Sequence, residues 1–477
     1  MEKIIHQIVS ETVVKYLEYY ETTGIVSLDK MSEALKELSD EMALQMLSAF
    51  IESADRSICE SKSERKNDGI TVHERNVPRT VFTSLGSFTY PRSYFKTPVG
   101  MSYMLDEMLS VSPYERIDAG VSAKLVNAAA LHSYGRSASI VCGDKISRQS
   151  AWNKAMNTGE VAYIPEQSQE TPETLHIFAD EDHVSLQHGN NTIVPLVTVC
   201  AGKRAVSKGR NELIEPFHVH GYGLDKETLW NYVYALCAVK YDMSKIEKVH
   251  IYGDGASWIK SGTETFSNAI YLLDAFHYRK RMRSLFSGEL SSRFALSAYD
   301  AIARNDIASF ESKVMSLKSL ILEKMPDSKA RERKLKSIVE NSGYILNHWE
   351  AIQNTKISGV IGSCTEAMVS HVLSERLSRN PMGWSKRGLS KMAMFRVFVI
   401  NGGKIEAIDT LSWKYSDKRE RVASQVEKYD KIVKLQHDEI FKDAKNWTLF
   451  NYDNKISGKT TGSKVALDAL GKLRNVS

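Results

Sequence analysis

Two short runs decide how this chain reads: Leu175–Asp180, LHIFAD, and Lys248–Asp254, KVHIYGD. Each is an apolar, β-favouring stretch that stops at an aspartate, and the second is followed at once by Gly255. Near-continuous apolar runs of this length are the mark of strands buried on both faces. Carboxylates at the carboxyl ends of such strands converge on one edge of the sheet, where open α/β sheets place ligands. A third acid, Glu366, opens a helical pattern over Thr365–Arg379, directly after the small, flexible segment SGVIGSC. Three converging carboxylates repel one another unless a cation lies between them. Mg²⁺ suits that place, because it prefers oxygen ligands and binds through a few carboxylates plus phosphate oxygens. A pair of such ions, about 3.5–4 Å apart, supplies water activation and leaving-group stabilisation in phosphodiester chemistry. Taken singly, an Asp after a strand is more often a turn or helix-cap residue.

Around these runs the pattern changes several times. Residues 1–60 predict helices, with Ile4, Ile5, Ile8, Leu17, then Leu35, Leu38, Met42 and Met46 at helical spacing. Cys59–Gly69, CESKSERKNDG, is polar and predicts a linker. In RTVFTSLGSFTYPRSYF (79–95) two β-rich runs flank Leu85-Gly86-Ser87, which predicts a hairpin. Residues 101–157 predict helix, 158–173 a second linker, and from 174 short β-rich runs alternate with a helix over about 226–239. Residues 279–350 predict helices rich in Lys and Arg. The domain reading is therefore 1–60, 70–157, 174–278, 279–358, 359–400 and a basic end, 401–477.

Composition bounds the function classes. A chain of 477 residues accommodates two to four domains, and 42% hydrophobic with 25% charged residues is globular chemistry. No apolar run is long enough to span a bilayer, and the first residues lack the features of a signal peptide. The five cysteines are scattered without a CxxC pair, so a reducing, cytoplasmic setting is expected. The net charge of +5 is unevenly spread. Residues 279–340 hold 14 Lys/Arg against 8 Asp/Glu, and 386–477 hold 19 against 11, leaving the rest at −9. Two basic blocks in an acidic remainder suggest a polyanionic partner, or equally a solvated helical surface.

The blocks HIFADEDHVSLQ (176–187), YGDGASWIK (252–260), LDAFHYRK (273–280) and CTEAMVSHVLSERLSRNPMGWSKRG (364–388) occur in this order. Together with the hairpin at 79–95 they resemble the DDE transposases of ISLre-type insertion sequences, and more distantly Mutator-type transposases. The resemblance implies a multidomain α/β protein. It would have a ribonuclease-H-like catalytic core, an all-helical insertion and a mostly helical N-terminal DNA-binding region. In that fold the first Asp lies on the first strand, the second Asp follows the fourth, and the Glu lies on a late helix. Those roles pass to Asp180, Asp254 and Glu366 as catalytic and metal-holding residues, with Mg²⁺ as cofactor and Mn²⁺ as its substitute. Asp182 shares a strand face with Asp180 and is the alternative first acid. The 112-residue interval from Asp254 to Glu366 would hold the insertion. Asp274 and His277, the DxxH of LDAFHYRK, would support the site or contact DNA; a buried hydrogen-bonded pair is the other reading. His218 and His220 lack further metal ligands at suitable spacing, and GDGASW lacks the GK[ST] of a phosphate-binding loop.

Residues 133–156 predict a helix-turn-helix, or an ordinary helical pair. Ala138, Val141, Cys142, Ile146 and Trp152 would face inward, Gly143 would make the turn, and Ser147 would cap the second helix. Arg148, Gln149, Asn153 and Lys154 would face outward, toward base edges in the major groove. Further DNA contacts are expected from Arg279, Lys280, Arg376, Arg379, Lys386 and Arg387. Trp384 would either stack on a base or belong to the core. Helical spacing puts Glu366, Val369 or Ser370, and Leu373 on one face. The function so implied is cleavage and joining of element ends in double-stranded DNA, with terminal inverted repeats and target DNA as partners. At least a dimer would assemble on DNA, with the amphipathic segment 31–54 either one contact or simply core. A metal-dependent nuclease without strand joining and a non-catalytic helix-turn-helix regulator are the alternatives.

Overall fold

The computed structural model describes residues 2–208, 210–380 and 382–411, so most of the predicted basic end, 412–477, lies outside the described residues. The described chain is mixed α/β and divides into two compact units: Met1–Lys124 with the residues from Glu406 on, and Leu125–Ile405. The division falls inside the Ala119–Leu131 helix, so the predicted 70–157 region is shared between the units.

In the first unit, helices Glu2–Thr23 and Leu28–Glu60 precede a three-stranded antiparallel sheet, β1 (Thr71–Thr83), β2 (Gly86–Thr97) and β3 (Gly100–Ser102). The hairpin turn lies one residue earlier than predicted, with Thr83 opposite Gly86 and Gly86 at φ +111°, a conformation open to glycine. The predicted 59–69 linker is instead helix, Lys62–Asn67. Its polar appearance hid an inward arginine. Arg65 is buried and donates to the carbonyls of Ile58 and Cys59, at 3.0 and 2.7 Å.

The second unit is built on five strands in the order β10-β9-β4-β5-β8: β4 (Thr174–Ser185), β5 (Asn191–Cys200), β8 (Phe217–His220), β9 (Lys248–Gly253) and β10 (Ala269–Leu273). Between β5 and β8, β6 (Gly202–Ser207) and β7 (Arg210–Ile214) form a separate ribbon. β4 is central, antiparallel to β5 and parallel to β9. Alternation sends Leu175, Ile177 and Ala179 to one face, against Trp230, Val233 and Cys237 of the Lys226–Lys240 helix. It sends Phe178 to the other, with Tyr252, Leu272 and the segment Val360–Cys364. This is why LHIFA is apolar throughout. No secondary structure is present over 158–173, as the proline-bearing segment predicts.

From Ala275 to Asn354 every regular element is helical. These helices bury their own core, including Met282, Phe310, Leu317, Ile345 and Trp349. Asn354 donates to the Tyr271 carbonyl at 3.0 Å, which returns the chain to β10. The predicted 359–400 segment holds the helical stretch Thr365–Leu377 and the helix Lys386–Ile400. Among the described residues no helix is long and apolar enough to cross a membrane.

Candidate active site

Parallel pairing of β4 with β9 sets Asp180 level with the carboxyl end of β9 and so brings two of the three predicted acids together. β4 itself runs on to Ser185, so the expected strand end at Asp180 is corrected. Asp180 stands on β4 and is 8% exposed. Its carboxylate accepts the Glu181 amide at 2.9 Å. Asp254 follows the last residue of β9 and turns the chain by accepting the Ala256 amide at 2.9 Å. The glycines on either side of it are tight. A Cβ on Gly253 would lie 2.6 Å from the Ile259 side chain, and one on Gly255, at φ +104°, would collide with the His348 ring. Tyr344, one helical turn before His348, donates its hydroxyl to the Asp254 carbonyl. The helices between Ala275 and Asn354 thus close over the second acid, a contact that no local pattern announces.

Glu366 lies in the first turn of the Thr365–Val369 helix and is exposed. Asp274 sets where that helix starts. It is 3% exposed, caps the Ala275–Leu285 helix through the Phe276 amide, and accepts the hydroxyls of Ser363 and Thr365. Asp274 therefore fastens the segment that carries Glu366 to the end of β10. It acts through its neighbours and does not line the cavity.

Asp180, Asp254 and Glu366 line one cavity of about 400 Å³, with Glu181, Asp182, His277 and Arg379. Ligand atoms of Asp180, His277 and Glu366 lie within 4.8 Å of one another. The tightest trio thus contains His277 in the place expected for Asp254. The His277 Nε2 atom is buried with no hydrogen-bond partner. Burial pushes the Asp180 carboxyl up to about 6; the Glu181 amide and His277 pull it down, and Asp254 and Glu366 push it up further. Asp182 lines the same cavity but is held differently. One of its oxygens accepts Ser374 and Ser378 at 3.0 and 2.9 Å, tying β4 to the Glu-bearing segment. Of the two first-acid alternatives, Asp180 is the one in the close trio.

The helix after Glu366 departs from the predicted spacing. Ser370–Ser374 is a π-turn, so Val369, Ser370 and Ser374 reach the cavity while Leu373 is fully buried. One extra residue in the turn rotates the rest of the helix, and such turns are found at functional sites. Ser370 lies one ordinary turn after Glu366 and was legible; Ser374 depends on the π-turn.

Four expected DNA contacts are corrected or qualified. Arg376 is 3% exposed: it donates to the Ala129 carbonyl at 2.7 Å and lies over the Tyr134 and Trp384 rings. Trp384 is buried as well, its indole N–H donating to the Leu377 carbonyl at 2.9 Å. Both belong to the core of this unit because a desolvated guanidinium needs such a stack and acceptor. Lys154 is buried with Ala151 and Ala155, on the inward stripe of its helix. Trp152 is 38% exposed and shares the outward stripe with Arg148, Gln149 and Asn153. The helix pair itself matches: Gly143 ends the first helix at φ +55°, and Ser147 caps the second through the Ser150 amide. Arg279, Lys280, Arg379, Lys386 and Arg387 are exposed, and Arg387 also donates to the Met156 carbonyl at 3.1 Å. Arg376→Ala should therefore lower unfolding free energy by about 2–3 kcal/mol through the lost stack and hydrogen bond. Denaturant unfolding measures that loss, and duplex-DNA affinity of the folded variant should not change.

A family model described as "Uncharacterised protein family (UPF0236)" matches residues 21–413. Similar proteins occur in Caldanaerobacter subterraneus subsp. tengcongensis. One UPF0236 protein is 35% identical over 80% of this chain and 80% of its own length, and its name joins eleven locus designations. A second is 34% identical over 80% of this chain and 81% of its own length. A third, with four designations, is 34% identical over 80% of each chain.

Proposed function

The chain belongs to the UPF0236 family, and we propose that it is a DNA transposase with a ribonuclease-H-like core. It would cut and join element ends in duplex DNA with Asp180, Asp254 and Glu366. The observation that carries the reading is the meeting of these three acids in one cavity, from segments 74 and 112 residues apart in the chain. Counting strands of the central sheet along the chain, β4 is first and β9 fourth. The acids thus stand on the first strand, after the fourth strand and on a late helix, as the transposase resemblance implies. The all-helical stretch before Glu366 supports the same reading. So does the relative whose one name spans eleven loci, since a self-copying DNA segment leaves many near-identical genes.

The residues fit a divalent cation. The donors are carboxylate oxygens, the choice of Mg²⁺, and the unpartnered His277 nitrogen would suit Mn²⁺ at least as well. Asp180 and Glu366 would hold the ion with Asp254 completing the set. When bound, it would supply charge for activating the attacking oxygen and stabilising the leaving one. The protein's own part is placement. Asp274 anchors the Glu366 helix, Tyr344 and His348 hold the Asp254 turn, and Arg379 brings a cation to the cavity rim, its guanidinium donating to Ser370 at 2.8 Å.

Purified protein, Mg²⁺ and labelled DNA carrying the sequences that flank the gene test the reading. Nicks leaving a 3′ hydroxyl, followed by joined products, are expected. Cleavage without joining would leave a nuclease. No cleavage, or cleavage unaffected by Asp254→Asn, would overturn the assignment.

A further inference from the structure

The central sheet makes a detour that its own topology does not need. β5 and β8 are adjacent and antiparallel, and such strands can be joined by two residues. Here the chain leaves the sheet at Cys200 and re-enters at Phe217, and β6 and β7 pair with each other outside it. A lone two-stranded ribbon is marginal in water, so its base needs an anchor. Leu213 supplies one. It packs against Phe178, Cys200 and Tyr252, beside Val360, Ile361 and Cys364. Phe178 and Asp180 are two residues apart on β4 and so share a face. The ribbon is thus rooted on the acid-bearing face of the sheet, against the segment that leads into Glu366.

Its outer part is exposed and basic. Arg204, Lys208 and Arg210, with Lys203 half-buried beside Leu213 at the base, stand against a single acid, Glu212. That acid pairs with Arg204 at 3.0 Å, and among the described residues no ion pair engages the other three cations. The ribbon lies outside both basic blocks, in the part of the chain that is otherwise acidic, so its charge is not a general surface property. The side chains around the cations are Ala205, Val206, Ser207 and Asn211, small or slender enough for the ribbon to approach a flat or grooved partner. Two-stranded ribbons of this kind fit nucleic-acid grooves, and duplex DNA offers one phosphate per about 1.7 Å of axis.

We propose that the β6–β7 ribbon is a DNA-holding finger in which Lys203, Lys208 and Arg210 contact phosphates of the duplex presented to the acidic cavity. The inference rests on the reading of that cavity as a DNA-processing site and names a contact for it that lies outside the helix-turn-helix and both basic blocks.

The test uses the full chain and a fluorescein-labelled duplex of mixed sequence, titrated by anisotropy between about 50 and 200 mM salt. The triple variant Lys203→Ser, Lys208→Ser, Arg210→Ser should flatten the plot of log K against log salt by about 2–3 units, with roughly eightfold lost affinity per contact at 0.1 M salt. Asn211→Lys, which adds a cation and removes nothing from the core, should strengthen binding several-fold and covers the case in which the triple variant fails to fold. An unchanged slope in the folded triple variant, or no gain from Asn211→Lys, would overturn the proposal. So would loss of binding to phosphatidylserine vesicles with DNA binding intact. If the wild type binds no duplex, the catalytic reading and the finger fall together. If the slope changes as expected while Asp254→Asn still cleaves, only the catalytic reading falls.

Discussion

Asp180→Asn should reduce DNA cleavage by at least about 10³-fold while leaving DNA binding intact, because it removes a charge that only the reacting complex uses. The same change should stabilise the metal-free protein. Burial first, and then the Asp254 and Glu366 charges, lift the Asp180 carboxyl to about 6 from an ordinary 3.8. A carboxyl raised in the folded state contributes stability that is full below the unfolded value and lost as pH rises through the folded one. At pH 8 the wild type therefore carries an ionised-state penalty of up to about 3 kcal/mol, at 1.36 kcal/mol per pH unit. Asn carries no charge and escapes it. Mg²⁺ should offset the penalty in the wild type and raise its melting temperature, and should do so far less in Asp180→Asn. Thermal melts at pH 8 with and without Mg²⁺ would check this. A variant that melts lower than wild type without metal, or gains as much from Mg²⁺, would show that the carboxylates do not form one charged centre.

The second large effect is acid sensitivity, and it runs against the first. His176 and His218 are buried, and burial holds each imidazole down at about 4, helped at His176 by the neighbouring His250. Each has one polar partner: the Tyr252 hydroxyl lies 3.1 Å from His176 Nδ1, and the Thr198 hydroxyl 2.8 Å from His218 Nδ1. Below the ordinary histidine value near 6.5, the unfolded chain takes up protons that the folded chain refuses. Stability is then lost as pH falls from about 6.5 to about 4, by about 3 kcal/mol for each histidine. Relief of Asp180 between pH 6 and 4 returns about 3 kcal/mol, so the histidines win. Urea midpoints should drop steadily from pH 7 to pH 5, and His176→Phe should flatten the drop. A midpoint that rises on acidification would mean that these histidines already carry protons in the folded protein.

Much of the acidic cavity was readable along the chain. LHIFAD and KVHIYGD are apolar because both faces of their strands are covered, and a run covered on both faces has to end where the polar edge begins. Glu366 was readable because small residues precede it and a helical periodicity starts with it. The features that failed to show share one cause: periodicity states which residues lie on one side of an element, but not which side the rest of the protein covers. Trp152 looked like core and Lys154 like surface. Their helix is turned so that Ala151, Lys154 and Ala155 face inward, and the lysine stem is long enough to be buried there. Arg65 and Arg376 read as surface charge, yet both are buried: Arg65 on the carbonyls of Ile58 and Cys59 in the preceding helix, and Arg376 on the Ala129 carbonyl and the ring faces of Tyr134 and Trp384, the first two of which lie far away in the chain.

The sequence alone determined the α/β class, the apolar runs that end at Asp180 and Asp254, the helical stretch between the second and third acids, and the acids themselves. These come from local hydrophobic pattern and from the chemistry of single side chains. The tertiary structure alone decided that His277 joins the close trio, that Asp182 staples β4 to the π-turn, and that Tyr344 and His348 close on the Asp254 turn. These depend on strand register and on one extra residue in a helical turn. Such features move side chains by several ångströms without changing any pattern along the chain.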